Sequence, residues 1–182
     1  MLLTNFQEQY KQLNQANYKA SNFVSQYYQY AKQSEAENGI NALAIMAQAA
    51  LESGWGITVV GNMLFGIKAT PNTPAHKRQL LTTTEYLRSS NVEFPEVISV
   101  TKQSNGLYKY KVKDWFRKYD TPKESFDDHA KFFFENPRYA KALTVRSDAN
   151  RFVEEIAKAG YATAPNYAGT LKSIIKTIER YV

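Results

Sequence analysis

The chain has no cysteine among its 182 residues. That absence excludes disulfide bridges, a thiol nucleophile and any metal site built from thiolates. Histidine is scarce as well: His76 and His129 are the only two, and they lie far apart in the sequence. A histidine-rich metal centre is therefore not expected, and we predict no metal and no other cofactor.

Long apolar runs are also missing. No stretch approaches the about 20 apolar residues needed to span a bilayer, so no membrane span is predicted. Residues 1–8 lack the basic region and the apolar core of a secretory signal peptide. If the substrate lies outside the cytoplasm, we expect a different route to carry the protein there.

The composition is that of a globular protein, with 43% hydrophobic and 22% charged residues. It excludes a wholly disordered or collagen-like chain. The net charge of +6 suits an anionic partner, such as nucleic acid, an anionic membrane or an anionic polymer. Lysine and arginine are scattered without a run of five, which disfavours nucleic-acid binding. The 13 tyrosines would suit a groove that stacks flat ligands such as sugars.

Apolar residues at helical spacing predict one or two helices near the N-terminus, and we assign residues 1–37 to a helical extension packed on the body. Residues 38–182 form the predicted main domain. Residues 41–53 are strong helix formers, ended by Gly54 and Gly56.

The middle of the chain changes character. Thr-rich and alternating segments between residues 81 and 113 predict strands, and Asn105-Gly106 is a strong hairpin turn signal. Helices then return, so the order is helices, hairpin, helices. This order predicts an α+β fold with a dominant helical lobe and a small β-hairpin lobe.

Caps mark two of the later helices. Thr121–Glu124 forms a capping box with proline at the first helical position, and Asp148 can cap the next helix. The first of these helices has a predicted buried stripe of four residues: Phe126, Ala130, Phe133 and Phe134. His129, next to Asp127 and Asp128, is expected on a solvated face.

Glu52 extends the apolar face of the 41–53 helix, three residues after Ala49. If it is buried, desolvation and the negative helix end should raise its carboxyl pKa, as a general acid requires. The alternative is that Glu52 ends the helix and turns to solvent. Periodicity leaves both alternatives open.

The longer sequence around Glu52 is more specific. Ala47–Gly56 and Gly61–Ala69, followed by Thr82–Tyr86, resemble motifs of the glucosaminidases of glycoside hydrolase family 73. Three later segments match in the same order: Trp115–Tyr119, Asn136–Tyr139 and Ala159–Pro165. The resemblance covers about residues 38–180. Ala164 stands where the family usually has aspartate, and the segment 88–113 is longer than in short members.

The resemblance implies a lysozyme-like fold and cleavage of the β-1,4 bond after N-acetylglucosamine in peptidoglycan. It assigns the catalytic acid to Glu52, a second acidic position to Glu85 and a cleft tyrosine to Tyr161. Glu85 could activate water or stabilise the cation, or the substrate's 2-acetamido group could act as nucleophile, oriented by Tyr161. We also predict five substrate-binding residues: Trp55, Asn62, Phe65, Tyr86 and Tyr139.

Two other functions stay open: a lytic transglycosylase of the same fold and a catalytically silent wall-binding module. The expected partner is the glycan strand of peptidoglycan, met in the periplasm or cell wall. Flagellar export, phage release and a secretion system such as type VI are the delivery routes considered. The last would make the protein an antibacterial effector with a cognate immunity protein. We expect a monomer.

Overall fold

The computed structural model describes residues 2–162, 164 and 166–182, with side chains from residue 15 onward in the first helix. The described elements are six α-helices and three β-strands, in the order α1 (Leu2–Asn38), α2 (Ala42–Glu52), β1 (Arg78–Leu87), β2 (Glu96–Lys102), β3 (Tyr108–Arg117), α3 (Pro122–Glu135), α4 (Ala140–Thr144), α5 (Ala149–Lys158) and α6 (Tyr167–Ile178). They form two compact units. All helices belong to the first, which runs to Phe65 and resumes at Asp120, and the strands form the second, Gly66–Tyr119. The predicted α+β organisation is confirmed.

The centre of the helical unit is α2. It packs against α1, α5 and α6, and Ala44, Ile45, Met46 and Ala47 are fully buried. Small alanine side chains allow neighbouring helices to approach from every direction, so α2 is buried all round rather than along one stripe. Asn41 caps its N-terminus by accepting a hydrogen bond from the Leu43 amide at 2.9 Å.

The N-terminal segment is a single helix of 37 residues. It packs on α2 and α3, and its buried residues include Phe23, Val24 and Tyr27. The division of the chain at residue 37 stays a prediction.

The later helices begin as their caps predict. The Thr121 hydroxyl accepts from the Glu124 amide at 3.4 Å, and Pro122 occupies the first turn. Asp148 caps α5 by accepting from the Arg151 amide at 3.0 Å.

Two predictions about α3 were wrong. Phe134, expected in the buried stripe, is 48% exposed. Eight residues at 3.6 per turn rotate it about 80° away from Phe126, to the edge of that stripe. His129, expected on a solvated face, is 2% exposed. Its ring lies face to face with Phe65, with centroids 3.8 Å apart. The acidic neighbours Asp127 and Asp128 therefore gave the wrong indication for this position.

The second unit is an antiparallel sheet with strand order β1-β3-β2. The predicted hairpin joins β2 to β3: Gln103 donates to the Leu107 carbonyl at 2.7 Å, and Gly106 adopts a φ of +82°. The central strand β3 pairs with β1 along its whole length, whereas β2 pairs only with its first part, residues 108–113. Within the described part of the chain, no helix is long and apolar enough to cross a membrane.

Candidate active site

Glu52 is the last residue of α2. The helix runs through the core, Leu43 is half-buried, and only the final residues, Leu51 and Glu52, are exposed. The structure thus decides between the two alternatives left open by periodicity, because Glu52 is exposed. A buried helix that ends in an exposed carboxyl holds that group on a rigid support.

The surroundings of Glu52 remove part of its hydration, and this desolvation raises the pKa of its carboxyl. The direction agrees with the expectation from the sequence, although Glu52 itself is not buried. Two tyrosine hydroxyls lie close enough to interact with its charge, those of Tyr161 and Tyr167. Glu52 therefore combines access to solvent with an environment that favours its protonated form.

The turn after Glu52 is fastened by Ser53, which is 2% exposed. The Ser53 hydroxyl donates to the Ala49 carbonyl at 2.6 Å and accepts from the Gly56 amide at 2.9 Å. Gly54, Trp55 and Gly56 all adopt positive φ. For the bulky Trp55, with φ +61°, this conformation is strained and is held by the surrounding structure.

Tyr161 lies in an aromatic cluster of the helical unit. Its ring stacks on Tyr167 at a centroid distance of 5.7 Å and meets His129 edge-on at 6.0 Å. Desolvation, with smaller effects from the neighbouring Tyr167 and Glu52, raises the pKa of Tyr161 far above its ordinary value. The phenol therefore stays protonated and can donate a hydrogen bond at any working pH.

Hydrogen bonds connect three buried polar side chains, two of which contact Tyr161. Gln48 donates from its amide nitrogen to the Tyr167 hydroxyl at 3.2 Å, and its amide oxygen lies 3.0 Å from Nε2 of His129. Because an amide oxygen only accepts, Nε2 carries the hydrogen in this arrangement. Desolvation lowers the pKa of His129 to about 3, so the imidazole is neutral. Gln48 precedes Glu52 by about one helical turn, so the network connects α2 to α3 and α6.

Glu85 lies on β1 in the sheet unit and pairs in register with Tyr110. Its Oε1 accepts from Nζ of Lys68 at 2.8 Å, and the same ammonium bonds Oδ2 of Asp114 at 2.7 Å. Glu85 is therefore one partner in a three-residue ion-pair group and is not a lone carboxylate on an edge strand.

The predicted binding residues differ in exposure. Tyr86 is 55% exposed on β1, whereas Phe65 and Tyr139 are 7% and 0% exposed. Phe65 stacks on His129, and the Tyr139 ring packs against Phe133 at a centroid distance of 5.1 Å. Neither of these two rings offers an open face to a sugar.

Trp55 and Asn62 are partly exposed. The Trp55 indole meets Phe23 edge-on at 5.8 Å and borders a cavity of about 510 Å³. The other described lining residues of that cavity come from α1 and the C-terminal region, including Lys19 and Arg180. Asn62 has a φ of +54° and donates from its amide to the Asp120 carbonyl at 3.1 Å, which fixes the chain before Phe65.

Sequence reasoning missed Gln48, His129 and Lys68. The signal for Gln48 was available, because a single amide inside an alanine-rich helix requires a buried partner. Lys68 belongs to the Gly61–Ala69 motif, but its partners are 17 and 46 residues away in the sequence. No sequence periodicity connects them.

Solved structures of similar fold define the class of protein. The glycoside hydrolase domain of Salmonella typhimurium FlgJ superposes with a TM-score of 0.67 at 29% identity, over 88% of this chain and 89% of that one. A peptidoglycan hydrolase mutant from Sphingomonas sp. A1 gives 0.65 at 28% identity, over 88% and 97%. The fold is that of a glycoside hydrolase domain.

The family follows from the sequence match. Residues 28–180 match the glucosaminidase family, described as mannosyl-glycoprotein endo-beta-N-acetylglucosaminidase, and the chain belongs to that family. Peptidoglycan hydrolase FlgJ of Vibrio parahaemolyticus is 34% identical over 163 residues, which is 86% of this chain and 47% of the relative. Exo-glucosaminidase LytG of Bacillus subtilis is 29% identical over 141 residues, 72% of this chain and 42% of the relative. The chain thus spans less than half the length of these curated relatives.

Proposed function

We propose that this domain hydrolyses peptidoglycan by cleaving the β-1,4 bond between N-acetylglucosamine and N-acetylmuramic acid inside the glycan strand. Membership in the glucosaminidase family supports the sugar specificity. Relatives named as peptidoglycan hydrolases support the polymer. The net charge of +6 supports it as well, because a basic enzyme is attracted to anionic wall polymers.

The observation that carries the mechanism is the setting of Glu52. Its carboxyl reaches solvent at the end of a buried helix, and desolvation raises its pKa. A general acid must hold a proton near working pH and deliver it to the leaving oxygen of the glycosidic bond. Glu52 takes that role in our proposal.

We assign to Glu85 and Tyr161 the steps that follow proton donation to the leaving oxygen. Glu85 activates the attacking water or stabilises the oxocarbenium-like state; in the third route the substrate's own acetamido oxygen attacks. Tyr161, which stays protonated, donates a hydrogen bond that orients the acetamido group or the water. Analysis of the anomer released first tests the water route: inversion supports water activation by Glu85, and retention excludes it.

Exposure divides the predicted binding residues by role. We propose that Tyr86 and Trp55 contact sugar rings, since each has ring surface open to solvent. We assign Asn62 to holding the loop before Phe65. We assign Phe65 and Tyr139 to packing within the aromatic cluster.

The decisive experiment is digestion of purified peptidoglycan with the wild type and with Glu52→Gln, followed by reduction and mass spectrometry of the products. Reduced N-acetylglucosamine ends that disappear in the variant are the expected result. Anhydro-muramic ends would indicate a lytic transglycosylase instead. Binding to peptidoglycan without product release would indicate a wall-binding module.

Delivery to the wall is part of the same proposal. The relatives named FlgJ favour the flagellar route among the three considered. The antibacterial effector role requires an inhibitor made by the producing cell. A pull-down from those cells that recovers a neighbour-encoded protein blocking hydrolysis would support the effector role, and its repeated absence would count against it. Light scattering of the purified chain tests the expected monomer.

A further inference from the structure

Lys68 is held at a fixed place beside the central strand of the sheet. Its backbone pairs with Phe116 in an isolated bridge, next to the part of β3 that β2 leaves free. Ala69 donates to the Trp115 carbonyl at 2.9 Å, and Arg117 donates to the Ile67 carbonyl at 2.9 Å. The backbone on both sides of Lys68 is therefore hydrogen-bonded to β3.

The Lys68 side chain joins two carboxylates of different strands. Its ammonium lies 2.8 Å from Glu85 on β1 and 2.7 Å from Asp114 on β3. The rings of Phe94 and Phe116 each lie 5.8 Å from the same nitrogen. Aromatic ring faces attract a cation, so the two rings favour this position of the ammonium.

The two carboxylates share one face of the sheet. Glu85 pairs with Tyr110 and Leu81 pairs with Asp114, so the two-residue alternation places Glu85 and Asp114 on the same side. Desolvation lowers the pKa of Lys68, but the hydrogen bonds that its ammonium donates to Asp114 and Glu85 raise it by more, so the ammonium stays charged.

Other ionisable groups near Glu85 have different partners or another face. Tyr110, directly opposite, donates its hydroxyl to the Ser89 carbonyl at 3.2 Å. Lys109 and Lys111 alternate to the opposite face, and both are exposed. In the following loop Arg88 and Glu93 are exposed as well. Lys68 is thus the cation that bonds Glu85 among the described residues.

We propose that Lys68 is a positioning residue for the hydrolysis: anchored by Asp114, it fixes the Glu85 carboxylate in the geometry that the reaction uses. This inference rests on the proposed function and extends it. Lys68 acts through Glu85 and does not need to touch the substrate. Asp114 holds the ammonium in place and so limits the positions that the Lys68 side chain can adopt. A Lys–Glu pair without Asp114 would lack this constraint.

A purely stabilising role makes a different prediction. Lys68 is 47% exposed, and exposed ion pairs contribute little to folding. If Lys68 only stabilised the sheet, its replacement would change the melting temperature and leave kcat as it was. A positioning role predicts the reverse.

The test compares Lys68→Met with Lys68→Arg, and uses Lys113→Met as matched control. Lys113 also forms an exposed cross-strand pair in this sheet, with Glu96 at 2.7 Å. For each variant, kcat and KM on purified peptidoglycan are measured, together with the melting temperature. Glu52→Gln and Glu85→Gln are measured in parallel.

For Lys68→Met we expect kcat to fall by about 10- to 100-fold with little change in KM, as misplacing a reacting group does. This fall at unchanged KM separates a positioning role from a loss of substrate binding. Lys68→Arg should restore most of kcat. Lys113→Met should behave as wild type.

Wild-type kcat in Lys68→Met, with Glu85→Gln impaired, would overturn the role of Lys68 and leave the proposed function intact. Full activity of Glu85→Gln would remove Glu85 from the mechanism and Lys68 with it, while Glu52→Gln still reports on the hydrolase itself. Loss of folding in Lys68→Met would transfer the test to Lys68→Arg and Asp114→Asn.

A second readout needs no activity. The side-chain ammonium resonance of Lys68, observed by nitrogen-15 NMR and assigned with Lys68→Arg, should shift in Glu85→Gln and in Asp114→Asn. It should not shift in Lys113→Met. An ammonium signal that is indifferent to Glu85→Gln would overturn the contact, and the proposal with it, whatever the enzyme assays show.

Discussion

Glu52 and Glu85 carry the same carboxyl group in opposite surroundings. Glu52 ends a buried helix, desolvation raises the pKa of its carboxyl, and its charge acts on Tyr161 and Tyr167. Glu85 lies on a sheet of which one strand, β2, is exposed throughout, and it is ion-paired with Lys68. The helical unit thus removes water from its carboxyl, and the sheet unit supplies a cation.

The difference shows how one side-chain type can serve two chemical roles. A poorly hydrated carboxyl without a cation favours its protonated form, which suits an acid. A carboxylate that accepts a hydrogen bond from an ammonium is held in one place, which suits a group that must position water or face a developing positive charge. Replacing either carboxyl, or a residue that shapes its surroundings, tests whether the two groups differ in this way.

The largest effect is expected for Glu52→Gln. The variant keeps the size and polarity of the side chain but has no proton to donate, so kcat should fall by about 10³-fold or more, near the upper part of the range for general acids. Release of reducing ends from purified peptidoglycan measures the loss. An unchanged circular dichroism spectrum is the control, and a loss below tenfold would contradict the assignment.

Glu85→Gln should cost less, on the order of 10²-fold in kcat, because the amide retains a hydrogen-bonding oxygen near Lys68. The matched comparison is Glu96→Gln, which removes the acidic partner of Lys113 in the same sheet and should be silent. Wild-type activity in Glu85→Gln would break the contrast, since only one of the two carboxyls would then act.

His129→Gln tests the buried network of the helical unit through pH. The folded pKa of His129 is about 3, below its ordinary value of 6.5, so the unfolded chain takes up a proton first as pH falls. Its contribution to the free energy of unfolding is complete above about pH 6.5 and declines toward pH 3, by at most about 1.4 kcal/mol per pH unit. Glutamine can still bond Gln48 but does not titrate.

Urea unfolding of the wild type and His129→Gln between pH 7 and pH 4 measures that slope. Other ionisable groups cancel in the comparison. His76 is exposed and is the second histidine of the chain, so His76→Gln is the matched control and should retain the wild-type slope. Parallel slopes for wild type and His129→Gln would show that the imidazole is accessible to protons.

The smallest effect is expected for Gly56→Ala, which probes the turn that carries Glu52. Gly56 has a φ of +83°, and an added Cβ would lie 3.3 Å from the Phe23 ring and 3.4 Å from Tyr27. We expect a loss of about 1–2 kcal/mol in the free energy of unfolding. Gly54→Ala separates the causes, because at φ +58° its Cβ would meet nothing within 4 Å. Equal losses would show that packing against α1 adds nothing.

Local features were predictable because their causes lie within a few residues. The caps at Thr121 and Asp148 and the turn at Asn105-Gly106 depend on side chains that bond their own backbone neighbours. The motif around Glu52 indicated the family for a similar reason, since it is a contiguous string.

The burial and the neighbours of individual side chains were harder to predict. Nothing near His129 in sequence indicates burial: its stacking partner Phe65 and its hydrogen-bond partner Gln48 are 64 and 81 residues distant. Acidic neighbours at 127 and 128 suggested solvent instead. Periodicity likewise placed Glu52 on a buried stripe, although α2 is buried all round and only its end emerges.

The order of helices and strands, their caps and turns, and the family of the chain were all predictable from the linear sequence. They depend on hydrogen bonds and side-chain patterns among residues that are close together in the chain. Which groups lose water and which gain a charged partner depends on the folded structure. Desolvation of Glu52, burial of His129 and the bridging of Glu85 and Asp114 by Lys68 all require residues that folding brings together from distant parts of the chain.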